Sequence, residues 1–347
     1  MKVTRLAALH GMTVTATVAL LLLLALPAKR VLERPASSKA VAGLDLPFVP
    51  VAAPRRVFGV YVDPWHVDEW GAAVGAAPQA VAKFAAFGSH QRLGAYAREA
   101  ERKGLRRILI TWEPWTPVPS RLGTAAQARP QPGMRNIDIA RGARDRYIAR
   151  FARRLARFDG TVYLRYAHEM NGYWYPWSRD ARAYRWAWRR MVRWCHAAGA
   201  RNVRFVWSVN PNLYQPVGAW RANVRRYWPG RRYVDYVAST MINFGGAKTY
   251  SVRRFARRLR VLHREYRTPV LLTETNTEVL DALGWLYRLR EMLRGMPWVH
   301  GVFWSQLPSR GKQQQAGAGV LDWDVTTNPA AAEQLRGIIR DGERPGG

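Results

Sequence analysis

Two glutamates end strand-like runs in this chain: Glu169 closes "YLRYAHE" and Glu274 closes "PVLLTE". Around Glu169 stand His168 and Asn171, and behind it follow Tyr173, Trp174, Tyr175 and Trp177. An acid trailed by flat rings suits chemistry on sugars, whose apolar faces stack on aromatic side chains. Cleaving a glycosidic bond needs a proton for the leaving oxygen and a group that meets the charge developing on the anomeric carbon. Two carboxyls supply both. At about 5–5.5 Å apart the second carboxylate acts as nucleophile, and a wider gap admits a water between them. Arg165, on the strand leading to Glu169, offers a positive charge that steers Glu274 towards its ionised form. His168 is placed to hydrogen-bond sugar hydroxyls or a carboxylate. "HEMNG" lacks the second histidine of a His-Glu-x-x-His zinc helix, so a metal role for His168 has no support from spacing.

Elements that place both acids at one end of a fold are legible along the chain. From residue 57 onward, β-like runs alternate with helical ones. The strand-like runs are "VFGVYVD", "FAAFGSH", "RILITWEPW", "TVYLRYAHE", "VRFVWSVNPN", "YVDYVASTMI", "PVLLTET" and "VHGVFWSQ". Between them "RLGAYAREAERKG", "DRYIARFARRLARF", "DARAYRWAWRRMVRWCHAAG" and "SVRRFARRLRVLHREY" carry apolar residues at helical spacing. This alternation predicts a parallel sheet with helices outside it. About eight units over roughly 270 residues predict an α/β fold of the (β/α)8 TIM-barrel type. There is no glycine-rich phosphate loop after the first run, which argues against a dinucleotide-binding sheet. In such a barrel the strand C-terminal ends form the active face. Asp63 and Trp65, Trp112, Glu113 and Trp115, Trp207 and Asn210, and Trp304 and Gln306 all fall at such ends, as the two glutamates do. The expectation is a polysaccharide cleft in which Trp112, Glu113, Asn171, Trp174, Trp177, Trp207 and Trp304 meet substrate while Asn210 supports the acids.

The stretch "LRYAHEMNGYWYPW" resembles the acid/base motif of glycoside hydrolase family 26, the family of β-mannanases and some β-glucanases. "ITWEPW", "IARGARDRYIARFA", "PVLLTET" and "GVFWSQ" agree with it in order, so the resemblance covers about residues 57–340. It implies that Glu169 is the general acid/base and Glu274 the nucleophile of a retaining endo-β-glycanase. His168 and Arg165 would support them, with Trp174 lining the cleavage subsite and no metal or organic cofactor. One departure stands out: where the family's sixth strand ends in a Tyr-Asn-Trp-like run, this chain reads "ASTMINFGG", with Ile242 in the tyrosine's place and Asn243 retained. A lost hydrogen bond to the nucleophile would raise its pKa and slow glycosylation. The departure motivates an alternative reading, a catalytically weakened or non-catalytic surface barrel using Trp112, Trp174 and Trp304 as platforms.

Lys2 and Arg5 precede an apolar run from Leu6 to Ala28, as in an export signal. At about 20 residues the run can also span a bilayer. Leu26 is a poor companion for cleavage at Ala28, and Lys29 and Arg30 follow at once, which favours an uncleaved anchor. Residues 1–28 are therefore expected to be a signal peptide or signal anchor, residues 29–56 a flexible Ala/Pro-rich linker, and residues 57–340 the catalytic barrel outside the cytoplasmic membrane. The formal net charge of +31 favours anionic partners. The arginines, however, are spread over solvated helical faces, and no nucleic-acid motif accompanies them. An acidic exopolysaccharide fits both the charge and export. The single cysteine, Cys195, cannot form an internal disulfide and reads as a buried small residue.

Overall fold

The computed structural model describes residues 55–87, 93–118, 128–245, 249–306 and 324–344. The apolar segment 1–28 and nearly all of the expected linker lie outside the described residues. Among the described residues no helix is long and apolar enough to cross a membrane.

Eight strands run β1 (Val57–Val60), β2 (Ala80–Ala86), β3 (Arg107–Glu113), β4 (Thr161–Tyr166), β5 (Val203–Val209), β6 (Tyr236–Asn243), β7 (Val270–Thr277) and β8 (Val299–Trp304). All pair in parallel and in sequence order, and β8 pairs with β1 to close the barrel. The helices are α1 (Val67–Val74), α2 (Leu93–Arg102), α3 (Asn136–Ala140), α4 (Asp145–Leu155) and α5 (Ala181–Ala197). They continue with α6 (Val217–Arg226), α7 (Val252–Tyr266), α8 (Ala282–Arg294) and α9 (Pro329–Glu343). The expected (β/α)8 barrel is thus the observed one. On α7 the buried residues include Val252, Phe255, Leu259, Leu262 and Tyr266, the stripe that the helical spacing predicts.

Alternation along each strand divides the apolar residues into two cores. Val57, Ala82, Leu109, Tyr163, Val206, Tyr236, Leu271 and Phe303 fill the lower barrel interior. Tyr163 meets Tyr236 and Phe303 edge-on, with ring centroids 5.6 and 5.9 Å apart. Gly59 is required by this filling, because a Cβ there would lie 2.4 Å from the Phe303 ring. The strand residues of opposite phase form the outer core with the helices. Cys195 is buried there, and its burial pushes the thiol up to about 12.

Both edges of the domain extend beyond the expected 57–340. Arg56 is buried, its guanidinium donating to the carbonyls of Val299 (2.9 Å) and Leu293 (2.8 Å), so it belongs to the fold and not to a linker. At the other edge α9 continues to Glu343.

Candidate active site

The upper end of the barrel interior is charged. Arg165 lies opposite Thr111 across the β3–β4 pair and points inward, fully buried. Its Nη1 is 2.6 Å from a carboxylate oxygen of Glu274. The same nitrogen donates to the Thr111 hydroxyl at 3.3 Å, and Nη2 donates to the Thr240 hydroxyl at 3.3 Å. Thr240 in turn donates to Glu169 at 2.5 Å. The two acids singled out in the sequence are therefore joined through one guanidinium and one threonine.

Each acid reaches this position by a departure from regular strand geometry. Thr273 precedes Glu274 on β7, and its hydroxyl bonds Ser208 of β5 across the interior at 3.0 Å. Regular alternation would then turn Glu274 outward. A bulge shifts the β6–β7 register at Ser239/Thr240, so that Ser239 pairs with Leu272 but Thr240 pairs with Glu274. That re-aims Glu274 at Arg165, a common use of bulges beside active sites. On β4 the strand ends at Tyr166, three residues earlier than "YLRYAHE" suggests. Ala167 and Glu169 then take left-handed φ values of 44° and 53°. Such conformations are strained for non-glycine residues and persist where the surroundings hold them. Here Glu169 N donates to Ser208 O at 2.9 Å, and Gly172 N donates to Glu169 O at 2.9 Å.

Burial, reinforced by the nearby charge of Glu274, raises the pKa of Glu169, although Thr240, Arg165 and Asn210 pull the other way. Burial alone would lower that of Arg165. Glu274, Tyr61 and Glu169 outweigh it and hold the guanidinium charged. A third carboxyl, Glu113 at the tip of β3, is buried and accepts from Trp115 Nε1 at 3.2 Å. Burial pushes it up to about 7 against that hydrogen bond, with Glu274 adding to the rise. His168 is buried, its Nε2 2.9 Å from the Tyr175 hydroxyl and its carbonyl accepting from Trp177 Nε1 at 2.7 Å. Burial and then Arg165 hold its pKa well below the ordinary imidazole range, so it is neutral.

Several residues expected to meet substrate are buried. Trp112, Trp207 and Trp304 are 0% exposed. Their neighbours Thr111, Val206 and Phe303 face the barrel interior, so the two-residue period sends the three indoles into the outer core. Trp112 stacks on Phe151 of α4 at 4.0 Å, and Trp207 lies edge-on to Trp228 and Tyr266. Trp177 is buried against Tyr175, its ring parallel at 4.3 Å. Asn171 is a turn lock: its amide exchanges hydrogen bonds with Asn210, accepting from N at 2.8 Å and donating to O at 2.9 Å. Gln306 ties Trp70 to Asp324. Trp174 is half-buried over Gly172, where a Cβ would come within 2.6 Å of the indole. The rings that do face solvent after strand ends are Trp65 (48%), Tyr173 (52%) and Tyr214 (68%).

Tyr61, Thr111 and Thr240 were not among the expected site residues. Tyr61 packs on Phe84 at 5.2 Å. Its hydroxyl donates to Thr273 O at 2.9 Å and lies 3.1 Å from the Thr111 hydroxyl. It feels the charges of both Arg165 and Glu274. The alternation Gly59, Tyr61 marked it as inward-facing. Thr240 follows Tyr236 and Ala238 in the same strand phase, so alternation marks it as inward-facing too. Ile242, beyond the β6–β7 bulge, is half-buried opposite Asn276, and Asn243 is held by Thr277 and Tyr250. Among the described residues no group of three or more His, Cys, Asp or Glu could hold a metal ion.

This architecture is shared with solved β-mannanases of glycoside hydrolase family 26. The Bacteroides ovatus enzyme superposes with a TM-score of 0.56 at 17% identity, over 83% of this chain and 89% of that one. The catalytic domain of a Bacillus sp. endo-β-1,4-mannanase does so with 0.58 at 17%, over 82% and 86%. At such identity the likeness is one of fold. In sequence, the chain is 31% identical over 150 residues to Endoglucanase H of Acetivibrio thermocellus, covering 41% of this chain and 14% of that protein. It is 36% identical over 88 residues to mannan endo-1,4-beta-mannosidase A and B of Caldalkalibacillus mannanilyticus, covering 22% and 16%. The chain thus matches about one seventh of the length of these curated relatives. No family model matches it. The resemblance to family 26 β-mannanases is met by this likeness of fold, and the partial sequence matches are to an endoglucanase and a mannan endo-1,4-beta-mannosidase.

Proposed function

We propose that the protein is a retaining endo-β-glycanase, β-mannanase-like, that cleaves β-1,4-linked polysaccharide through Glu169 and Glu274. The observation that carries this reading is the shared guanidinium: Arg165 pairs with Glu274 and reaches Glu169 through Thr240, so two carboxyls in one site have different surroundings. Environments that drive two acids apart assign their roles. Glu169, whose pKa is raised, holds a proton for the leaving oxygen. Glu274, ion-paired to a buried arginine, carries the negative charge a nucleophile needs. In the first step a Glu274 oxygen bonds the anomeric carbon as the glycosidic C–O bond breaks and Glu169 protonates the departing oxygen. In the second, Glu169 takes a proton from water, whose oxygen displaces Glu274 and restores the original configuration. Trp65, Tyr173, Trp174 and Tyr214 supply ring faces for the sugar chain around this centre.

The N-terminal apolar segment supports export with a membrane tether, which would put the barrel where polysaccharide is met. β-Mannan and mixed-linkage β-glucan are the first substrates to try, since the relatives named above include a mannosidase and an endoglucanase. The test is reducing-end release from a polysaccharide panel by the full chain, alongside Glu169→Gln and Glu274→Gln. Release from a β-1,4-linked polymer that both substitutions abolish is the expected result. Tight binding without release would favour the non-catalytic barrel, and release that survives both changes would refute the assignment.

A further inference from the structure

The opposite end of the barrel carries a second pocket that the proposed chemistry does not use. It lies where the C-terminus of α7 turns into β7 and where β8 begins, and its volume is about 480 Å³. Its walls are His263, Arg264, Arg267, Trp298 and His300, with Thr268 and Pro269 beneath. His263 and Trp298 stack face to face, 4.3 Å apart and 6° from parallel. Arg264 and Arg267 are exposed at the rim. His300 is more than nine-tenths buried, yet its Nδ1 has no hydrogen-bond partner. Burial, followed by Arg56 and His263, holds His300 below the ordinary imidazole range, so it meets a ligand as a neutral ring.

We propose that this floor pocket binds an acidic sugar unit, a uronate-type ring bearing a carboxylate. Two guanidinium forks at one rim match a carboxylate in the geometry that arginine recognises best. The open ring face of the His263–Trp298 stack and a volume several times that of a lone oxyanion suit a pyranose ring. A strongly basic chain concentrates such anions near its surface. Because the site lies at the N-terminal ends of the strands, it would hold an acidic polymer without occupying the cleft.

Calorimetric titration of the full chain with sodium glucuronate tests this, with glucose, inorganic phosphate and phosphatidylglycerol vesicles as comparisons. Glucuronate is expected to bind, and glucose and phosphate to bind at least tenfold more weakly. The double substitution Arg264→Gln/Arg267→Gln should weaken glucuronate tenfold or more while leaving polysaccharide hydrolysis unchanged. Arg253→Gln/Arg260→Gln removes the same charge from exposed positions elsewhere on α7 and should leave glucuronate binding as it was. Equal loss in both double variants would mean that only the general field attracts the anion. Preference for phosphate or for vesicles would make the pocket a phosphate or lipid site, and no binding to glucuronate would remove the proposal. Each of these outcomes is independent of whether Glu169 and Glu274 cleave a glycoside.

Discussion

At the lower end of the barrel interior Tyr163, Tyr236, Leu271 and Phe303 close the space with apolar contacts. At the upper end Glu113, Arg165, Glu169 and Glu274 are just as buried but charged or titratable. The backbone is the same parallel ring in both places, so the difference lies in what the side chains cost and return. The lower layers gain by leaving water. The upper ones lose by it and are held in place by the guanidinium, the bulge on β7 and the left-handed turn after β4. Burying ionisable groups in this way is how a site acquires carboxyls with altered proton affinity, as it does for Glu169 and Glu113.

Substitutions at the two ends should therefore fail differently. The largest effect is expected from Glu274→Gln, which removes the nucleophile and should lower turnover about 10⁴-fold or more. It also leaves Arg165 buried without its partner, a loss of about 3–5 kcal/mol that a denaturant melt would register. Glu169→Gln should lower turnover by about 10²–10⁴-fold with little change in the melt, because it removes a carboxyl that burial already disfavours as an anion. Similar melts for the two variants would contradict the ion-pair asymmetry.

Trp112→Ala tests the outer core. Loss of a fully buried indole stacked on Phe151 should cost about 3–5 kcal/mol and leave KM unchanged. A raised KM with normal stability would return Trp112 to the cleft. A pH series on Glu113→Gln comes next. Since the folded-state pKa of Glu113 is raised from 4.5 to about 7, the native state binds the extra proton between those values, and stability falls as pH rises through that window. Removing the carboxyl should relieve that fall. The stability of the variant relative to the parent should thus rise between about pH 4.5 and 7, by at most about 3 kcal/mol, and stay level above it. A difference that does not change with pH would mean that Glu113 is not protonated in the folded state. The smallest effect is expected from Tyr214→Ala: as an exposed change it should alter stability by no more than about 0.5 kcal/mol while raising KM for polymer severalfold.

Much of this was legible in the sequence. The alternation of runs gave the barrel, and "LRYAHEMNGYWYPW" and "PVLLTE" gave both acids and the arginine between them. Strand phase is legible there as well. Arg165 faces inward, so its neighbour across the β3–β4 pair, Thr111, does too, and that turns Trp112 outward. The same reasoning separates Trp207 from Ser208 and Trp304 from Phe303. The aim of Glu274 was not legible, because a one-residue bulge on β7 reverses phase without any residue that announces it. Nor were the roles of Asn171 and Trp177 within the turn after β4, since both depend on left-handed backbone at Ala167 and Glu169, which are ordinary residues in the sequence.

The most direct measurement is mass spectrometry of the Glu169→Gln variant after reaction with a β-mannobioside carrying a dinitrophenyl leaving group, which departs without acid assistance. The glycosyl-enzyme should then accumulate, with the added disaccharide on the peptide that contains Glu274. An unmodified protein that nonetheless turns over, or a label on any other carboxyl, would contradict Glu274 as the group that takes the sugar.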